Sequence, residues 1–313
     1  MNLNVMPSPL RRWATVTAMA AALGTATLLA GCGSGSLYLP LVPARMIVMG
    51  DGLADMGQVA GVRYTVNDDS INSWVQQAAS NYGLTLSAQS AGGQNWARGN
   101  ARVALKPDAT GNAATLTITE QVDAFLAGNT VGKDDIVVLD AGISDLVALG
   151  MAFKAGSLTD AQLLANAADA GKALAAQARR LTTAGAMHIL VAGTYNLGKS
   201  PFAAVQGLGA LLETASLKYN EALLVAMVDL GANVLYIDAA FQYNLLINQP
   251  VANGFTNSTV AACTTPTAAT CTTSTIGAGT SYNSYVFADD RYFTPAAQRS
   301  MGSYAYSRMK TRW

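Results

Sequence analysis

Acidic side chains follow short glycine-containing turns in this chain, where carboxylates could orient a base, position water or bind a cation. The first turn closes an apolar run at residues 46–49 with Gly50-Asp51-Gly52-Leu53. Four apolar residues followed by such a turn predict a short buried strand that ends abruptly. In an open α/β sheet, ligands gather at the carboxyl ends of the strands. The sequence therefore predicts a functional cleft beside this turn.

Three aspartates are expected near that cleft, namely Asp51, Asp55 and Asp289. A carboxylate cluster could hold a cation, but no ligand spacing specifies one. The interpretation we favour is that these side chains cap and close turns, which is the common role of Asp outside helices. No metal and no cofactor is predicted.

The first turn resembles block I of the GDSL, or SGNH, ester hydrolases, which is written Gly-Asp-Ser-Leu-Ser-Asp-x-Gly. This chain has Gly-Asp-Gly-Leu-Ala-Asp-Met-Gly, so Gly52 stands where the family has its nucleophilic serine. Residues 95–102, Asn-Trp-Ala-Arg-Gly-Asn-Ala-Arg, resemble block II. The resemblance makes Gly99 a backbone oxyanion donor. It also places Asn100 at a family glycine, where Asn can adopt a positive φ.

Two later stretches resemble the remaining blocks. The sequence Gly-Ile-Ser-Asp-Leu at residues 142–146 places Ser144 at the asparagine that donates to the oxyanion in the family. The sequence Asp-Asp-Arg-Tyr-Phe-Thr-Pro-Ala-Ala at residues 289–297 places Asp289 at the orienting acid and Tyr292 at the catalytic histidine. A phenol, with a pKa of about 10, is a poor base near neutral pH.

Ester hydrolysis needs a nucleophile, a base, an acid that orients the base, and oxyanion donors. Three of these family positions are changed, at Gly52, Ser144 and Tyr292. Because loss of a nucleophile or base alone costs about a million-fold in a comparable triad, we expect a non-catalytic member that binds a ligand or partner in the old cleft. The first alternative is a residual or rewired ester hydrolase that uses water positioned by Asp289. The second is a purely structural envelope lipoprotein without a pocket near Gly52.

Two other side chains were considered for the cleft. His188 is the only histidine and begins a predicted strand at residues 187–192. It is therefore expected at the opposite end of the sheet, in a structural role. Trp96 lies in the block II stretch and is expected to border the cleft.

The amino terminus resembles a bacterial lipoprotein signal. Arg11 and Arg12 precede an apolar stretch at residues 13–30, and Leu-Ala-Gly-Cys follows at residues 29–32. We expect a signal peptide at residues 1–31, an acylated Cys32 in a tether at residues 32–43, and one domain at residues 44–313. The resemblance implies a lipid anchor in the bacterial envelope, with sorting to the outer membrane. The alternative is an uncleaved membrane-spanning anchor.

Composition restricts the partners. Of 313 residues, 51% are hydrophobic and 12% are charged, and the formal net charge is zero. This balance argues against nucleic-acid binding or a polybasic membrane surface. The expected partners are the membrane, through the acyl chains, and a small acyl ester or glycan ligand.

Strand and helix patterns alternate along the chain, which predicts a three-layer α/β/α domain of flavodoxin type. Five parallel strands are expected, in the order 2-1-3-4-5. Cys263 and Cys271, in a Thr- and Ser-rich loop at residues 253–282, are expected to form a disulfide. The predicted strands are residues 46–49, 84–88, 135–140, 187–192 and 233–237, and the predicted helices are residues 70–82, 118–127, 159–183, 208–230, 239–247 and 294–309.

Overall fold

A parallel sheet positions the turns described above. The computed structural model describes residues 40–59 and 61–313. The predicted signal peptide and the lipid acceptor Cys32 therefore lie outside the described residues. The sheet has four strands in the order β1-β2-β3-β4, and all neighbours pair in parallel. These strands are β1 (Arg45–Gly50), β2 (Asp135–Asp140), β3 (His188–Ala192) and β4 (Val234–Ile237).

Helices connect the strands, as the alternating pattern predicted. Two of them begin with capping boxes, in which Thr117 and Thr159 each exchange hydrogen bonds with the third helical residue. The helices are α1 (Trp74–Asn81), α2 (Ile118–Gly128), α3 (Ile143–Lys154), α4 (Asp160–Thr183), α5 (Pro201–Gln206), α6 (Gly209–Met227), α7 (Ala239–Asn248) and α8 (Pro295–Arg312).

The sheet is covered on both faces. Alternate residues of β1 enter different cores: Met46 and Val48 belong to one, and Ile47 and Met49 belong to the other. The first core includes Trp74 of α1 and the second includes Phe125 of α2. Strands that are apolar on both faces require cover on both faces. The predicted three-layer α/β/α class is thus confirmed.

One of the five predicted strands, at residues 84–88, does not form in the structure. Residues 84–88 form a loop, and a segment a few residues later lies against β1 instead. There the Val48 N–H donates to the Gln94 carbonyl at 3.0 Å, and the Trp96 N–H donates to the Val48 carbonyl at 2.7 Å. This contact occupies the position of the second strand in the expected order. It continues with one more bond, from the Arg98 N–H to the Gly50 carbonyl at 3.0 Å, and the Gly50 N–H donates to a glutamine side chain instead of to this segment.

Further elements differ from the prediction, and helix α5 was not among the predicted helices. A small parallel pair, β5 (Asn257–Ala261) and β6 (Tyr285–Phe287), includes residues that were expected to form a loop. Helix α3 was not predicted, because its sequence is largely apolar and Gly142 precedes it without a capping side chain. The Cys263–Cys271 disulfide is present as predicted. Among the residues that the structure describes, no helix is both long and apolar enough to cross a bilayer.

One buried glutamine holds the end of β1 in place. The Gly50 N–H donates to Gln121 Oε1 at 2.8 Å, and Gln121 Nε2 donates to the Gly50 carbonyl at 3.0 Å. The Gln121 side chain is fully buried. Since Gly50 immediately precedes the turn at Asp51, this bond pair from α2 sets the position of that turn.

We expect Gln121→Leu to lower the free energy of unfolding by about 2 kcal/mol, because a buried backbone N–H loses its acceptor. Urea denaturation followed by circular dichroism measures the change. The matched control is Gln249→Leu, on an exposed side chain, which should change stability by less than about 0.5 kcal/mol. Equal effects of the two substitutions would contradict this role of Gln121.

Candidate functional site

The turns after β1 and β2 meet at the carboxyl edge of the sheet, as predicted. The Asp51 N–H donates to the Asp140 carbonyl at 2.9 Å. Asp51 Oδ2 accepts from the Ser144 N–H at 3.3 Å and from Ser144 Oγ at 3.2 Å. Asp51 is 0% exposed and Ser144 is 1% exposed. Ser144 therefore supports the Asp51 turn from inside the protein and does not present its hydroxyl to a cleft.

Gly52, the position of the family nucleophile, lies directly under the ring of Tyr292. A Cβ atom at Gly52 would lie 2.6 Å from Tyr292 Oη and 2.7 Å from two of the ring carbons. Real Cβ atoms essentially never approach a neighbour that closely. Tyr292 is 2% exposed. The space that a serine side chain and its substrate would need is therefore filled by the phenol.

Tyr64 packs against Tyr292 beside this space. No pattern in the sequence predicted that Tyr64 belongs to the site. Its ring centroid lies 5.0 Å from that of Tyr292, at a tilt of 53°. Asn100 Nδ2 donates to Tyr64 Oη at 3.2 Å, and Tyr292 Oη donates to Asn100 Oδ1 at 3.5 Å. Asn100 has φ 61°, the conformation expected at this position. A Cβ atom at Gly99 would overlap the Tyr64 ring, so both site glycines permit close aromatic packing.

The backbone donor expected at Gly99 is already engaged. The Gly99 N–H donates to Asp55 Oδ2 at 2.8 Å. Asp55 Oδ1 accepts from the Gly57 N–H at 2.8 Å and the Gln58 N–H at 3.1 Å. An N–H that faces a carboxylate has no hydrogen left for a developing oxyanion.

Asp289, the position of the orienting acid, holds a turn. Its Oδ1 accepts from the backbone N–H of Arg291 at 2.9 Å and of Tyr292 at 2.7 Å. Its Oδ2 accepts from the Ala268 N–H at 2.7 Å, inside the loop that the disulfide closes. Asp289 is 2% exposed. The carboxylate thus fixes the backbone that carries Tyr292 and ties the disulfide loop to it.

The turn-bonding interpretation of the three aspartates is confirmed by these contacts. Asp51, Asp55 and Asp289 each accept at least two backbone N–H groups. Within residues 40–59 and 61–313, no group of three or more His, Cys, Asp or Glu side chains is arranged to hold a metal ion.

The two remaining candidates lie elsewhere. His188 pairs with Ile136 near the amino ends of the strands, as predicted, and its ring lies edge-on to Trp313 at 5.0 Å between centroids. Trp96 was expected at the cleft, and this expectation is wrong. Its ring packs edge-on against Phe125 at 6.0 Å, because the backbone contact with β1 directs it into the second core.

Burial determines the protonation states at this edge of the sheet. It raises the pKa of Asp51 to about 6, although the hydrogen bonds from Leu53 and Ser144 act to lower that pKa. Burial, and then the charge of Asp51, raise the pKa of Asp140 well above its usual value, although the Trp74 indole N–H donates to it at 2.7 Å. Burial likewise raises the pKa of Tyr292 well above 10. The phenol therefore stays protonated at neutral pH and cannot serve as a base.

A cavity of about 580 Å³ opens on the other side of this aromatic wall. Gly99, Asn100 and Tyr64 line it, whereas Gly52 and Tyr292 do not. Residues within 108–116 and residues 269–270 line it as well. The open space of this region is thus displaced from the family nucleophile position to the far side of Tyr64.

Comparison with known proteins gives one kind of match. No family model and no curated protein matches the chain. Among solved structures, it is similar to a member of the lipolytic protein G-D-S-L family from Veillonella parvula DSM 2008. The likeness has a TM-score of 0.45 and 11% identity, and it covers 84% of this chain and 96% of that one. That protein carries the family name that the sequence motifs suggested, but a likeness of this size carries no argument about function.

We expect Asp289→Ala to lower the free energy of unfolding by about 3 kcal/mol, because three buried N–H groups lose their acceptor. Asp289→Asn should cost clearly less, since the amide oxygen can replace Oδ1 and keep two of the three bonds. Urea denaturation of both variants measures the order. Equal losses would indicate that the charge of Asp289, and not its hydrogen bonds, supports the turn.

Stability should fall as the pH rises from about 4 to 6. The folded-state pKa of Asp51 is about 6 and its ordinary value is 3.8, so in this window the folded protein binds the proton more tightly than the unfolded chain. One such group contributes a slope of up to about 1.4 kcal/mol per pH unit, and Asp140 extends the decline to higher pH. Urea denaturation between pH 4 and 7.5 measures the slope. Asp51→Asn should reduce the slope, although Asp145, whose pKa burial also raises to about 6, keeps its own contribution. The exposed control Asp169→Asn should leave the slope unchanged, so a slope that Asp51→Asn does not reduce would contradict this assignment.

Proposed function

We propose that this chain is an SGNH-type protein that has lost ester hydrolysis and binds a ligand in the cavity beside the former catalytic position. The observation that carries the proposal is the burial of Gly52 under Tyr292. A nucleophile position that is filled by a protonated phenol can accept neither a substrate carbonyl nor an attacking water. The ligand site is accordingly the neighbouring cavity and not the old cleft.

The hydrolytic alternative has weaker support. A serine-free mechanism would need Asp289 to position or deprotonate water. That carboxylate already accepts three backbone N–H groups and is 2% exposed, which leaves little capacity for a water molecule. The purely structural alternative predicts no pocket near the site, whereas a cavity of about 580 Å³ borders Gly99.

The same proposal places the protein on a membrane. The Leu-Ala-Gly-Cys sequence at residues 29–32 supports acylation of Cys32 in the envelope of a bacterium. Gly33 follows the cysteine in place of an aspartate, which supports an outer-membrane location by resemblance to other lipoproteins. Several acyl chains together anchor a protein firmly, because each buried methylene adds about 0.8 kcal/mol.

Hydrolysis of short acyl esters by the purified full-length protein tests the loss of activity, with product analysis by chromatography. We expect no turnover above protein-free buffer. Asp289→Asn is the comparison variant because it keeps most of the turn contacts. Turnover by the wild type that drops at least tenfold in Asp289→Asn would overturn the proposal and establish a serine-free hydrolase.

The filling of the site can be tested separately by a double-mutant cycle. Gly52→Ser alone should destabilise the protein by about 1–3 kcal/mol, because its Cβ would clash with Tyr292. The Tyr292→His ring lacks the phenol oxygen. In that background, the loss in free energy of unfolding on Gly52→Ser should be smaller by at least about 1 kcal/mol than in the wild type.

The control for this cycle is Gly128→Ser, where an added Cβ meets nothing within 4 Å. Its effect should simply add to that of Tyr292→His. A Gly52→Ser substitution that is equally additive would show that Tyr292 does not occupy the serine position.

A further inference from the structure

We propose that the cavity beside Tyr64 binds a neutral saccharide of one or two sugar units. This inference rests on the proposed ligand-binding function and names the chemistry of the ligand. The cavity volume of about 580 Å³ lies within the range of about 300–1,000 Å³ that is common for small-molecule sites. Four separate stretches of the chain line it, among them one around Ala114 and one around Thr270.

The lining mixes apolar surface with uncharged groups that can form hydrogen bonds. A sugar hydroxyl both donates and accepts, so it is matched best by a wall that mixes amides and hydroxyls. The ring of Tyr64 adds an apolar surface against which the C–H face of a sugar can lie. The uncharged polar side chains of the lining are those of Gln58, Asn100, Thr110, Asn112, Thr115 and Thr270. The three threonine hydroxyls donate within the protein and therefore offer a sugar their acceptor lone pairs.

An anionic ligand fits this lining poorly. Its one cation, Arg98, donates to Gln58 Oε1 at 3.1 Å and to Gln89 Oε1 at 3.4 Å. Two carboxylates, Asp55 and Asp108, line the same cavity. Although burial opposes ionisation, hydrogen bonds from Thr115 and its neighbours lower the pKa of Asp108 below its usual value. An ionised carboxylate at the wall would repel a phosphate or carboxylate group of the ligand.

The two carboxylates offer neither a cation site nor a pair of catalytic acids. Asp108 accepts four hydrogen bonds, from the N–H and hydroxyl of Thr110, the Asn112 N–H and the Thr115 hydroxyl. Asp55 accepts three backbone N–H groups. Both are thus committed to holding the loops that form the cavity, which favours binding over chemistry.

A long acyl chain is also a poor match. The apolar side chains of the lining, Val59, Val62, Ala114, Leu116 and Ala269, come from three separate stretches of the chain and are interspersed with polar ones. Burying a hydrocarbon chain against amides and hydroxyls would remove them from water without giving them new partners, at a cost of about 1–3 kcal/mol for each group. A hydroxylated ligand avoids this cost.

Isothermal titration calorimetry tests the proposal on the full-length protein in a detergent whose head group is not a sugar. The probes are disaccharides of glucose, xylose and N-acetylglucosamine, with inorganic phosphate and octanoate as the competing chemistries. We expect at least one disaccharide to bind and neither competitor to bind. Binding of phosphate or octanoate but of no sugar, or of none of the probes at millimolar concentration, would overturn the proposal.

Two substitutions locate the site. Ala114→Trp and Thr270→Trp each place a large side chain at an exposed position of the cavity rim, from different parts of the chain. Each should weaken sugar binding at least tenfold. The matched control is Ala165→Trp, at an exposed position of α4 that does not line this cavity, and it should leave binding unchanged. Undiminished binding by both rim variants would place the sugar elsewhere and refute the inference.

The outcomes separate this inference from the function on which it rests. If the protein binds no sugar and hydrolyses no ester, only the ligand class proposed here is refuted. If the protein hydrolyses esters and also binds sugar, and Ala114→Trp blocks that binding, the proposed non-catalytic role is refuted and the sugar site is supported. Because two rim variants are used, the result does not depend on the folding of either one alone. The thermal unfolding of both should match that of the wild type.

Discussion

The packing of Tyr292 onto Gly52 is the constraint on which the rest of the site depends. Without a side chain at residue 52, the phenol ring can lie on the backbone at the carboxyl end of β1. Tyr64 then packs against Tyr292, and Asn100 bonds to both hydroxyl groups. These contacts close the space above Gly52 and leave the open volume on the far side of Tyr64.

The buried carboxylates of this region are likewise occupied by contacts within the protein. At the carboxyl edge of a parallel sheet, carboxylates commonly face substrates, but here Asp51, Asp55 and Asp289 accept hydrogen bonds from the chain itself. Burial raises the pKa of each, and the backbone donors oppose that shift. A carboxylate in this role stiffens a turn, and it loses the free lone pairs that acid–base work requires. The hydrogen bonds of Asp55 and Asp289 therefore tie together loops of this region.

Local patterns predicted the regular elements well, and failures have identifiable causes. The helix predicted at residues 159–183 is α4, and the Thr159 hydroxyl caps its first turn. Helix α3 carried no such signal, since Gly142 precedes a largely apolar sequence. Residues 84–88 were apolar enough to suggest a strand, yet the chain at residues 94–96 forms the contact with β1. Which of two nearby segments reaches a sheet edge depends on packing that neither sequence encodes locally.

The sequence by itself determined the alternation of strands and helices, the pairing of Cys263 with Cys271, and the three positions, Gly52, Ser144 and Tyr292, at which the chain departs from the motifs that it resembles. These follow from residue type and from spacing within short stretches. Tertiary structure alone decided that Tyr64 meets Tyr292, that Asp55 takes the Gly99 N–H, and that Trp96 faces the core. Such contacts join residues far apart in the chain, and they form only where packing and hydrogen bonding of the whole fold bring those residues together.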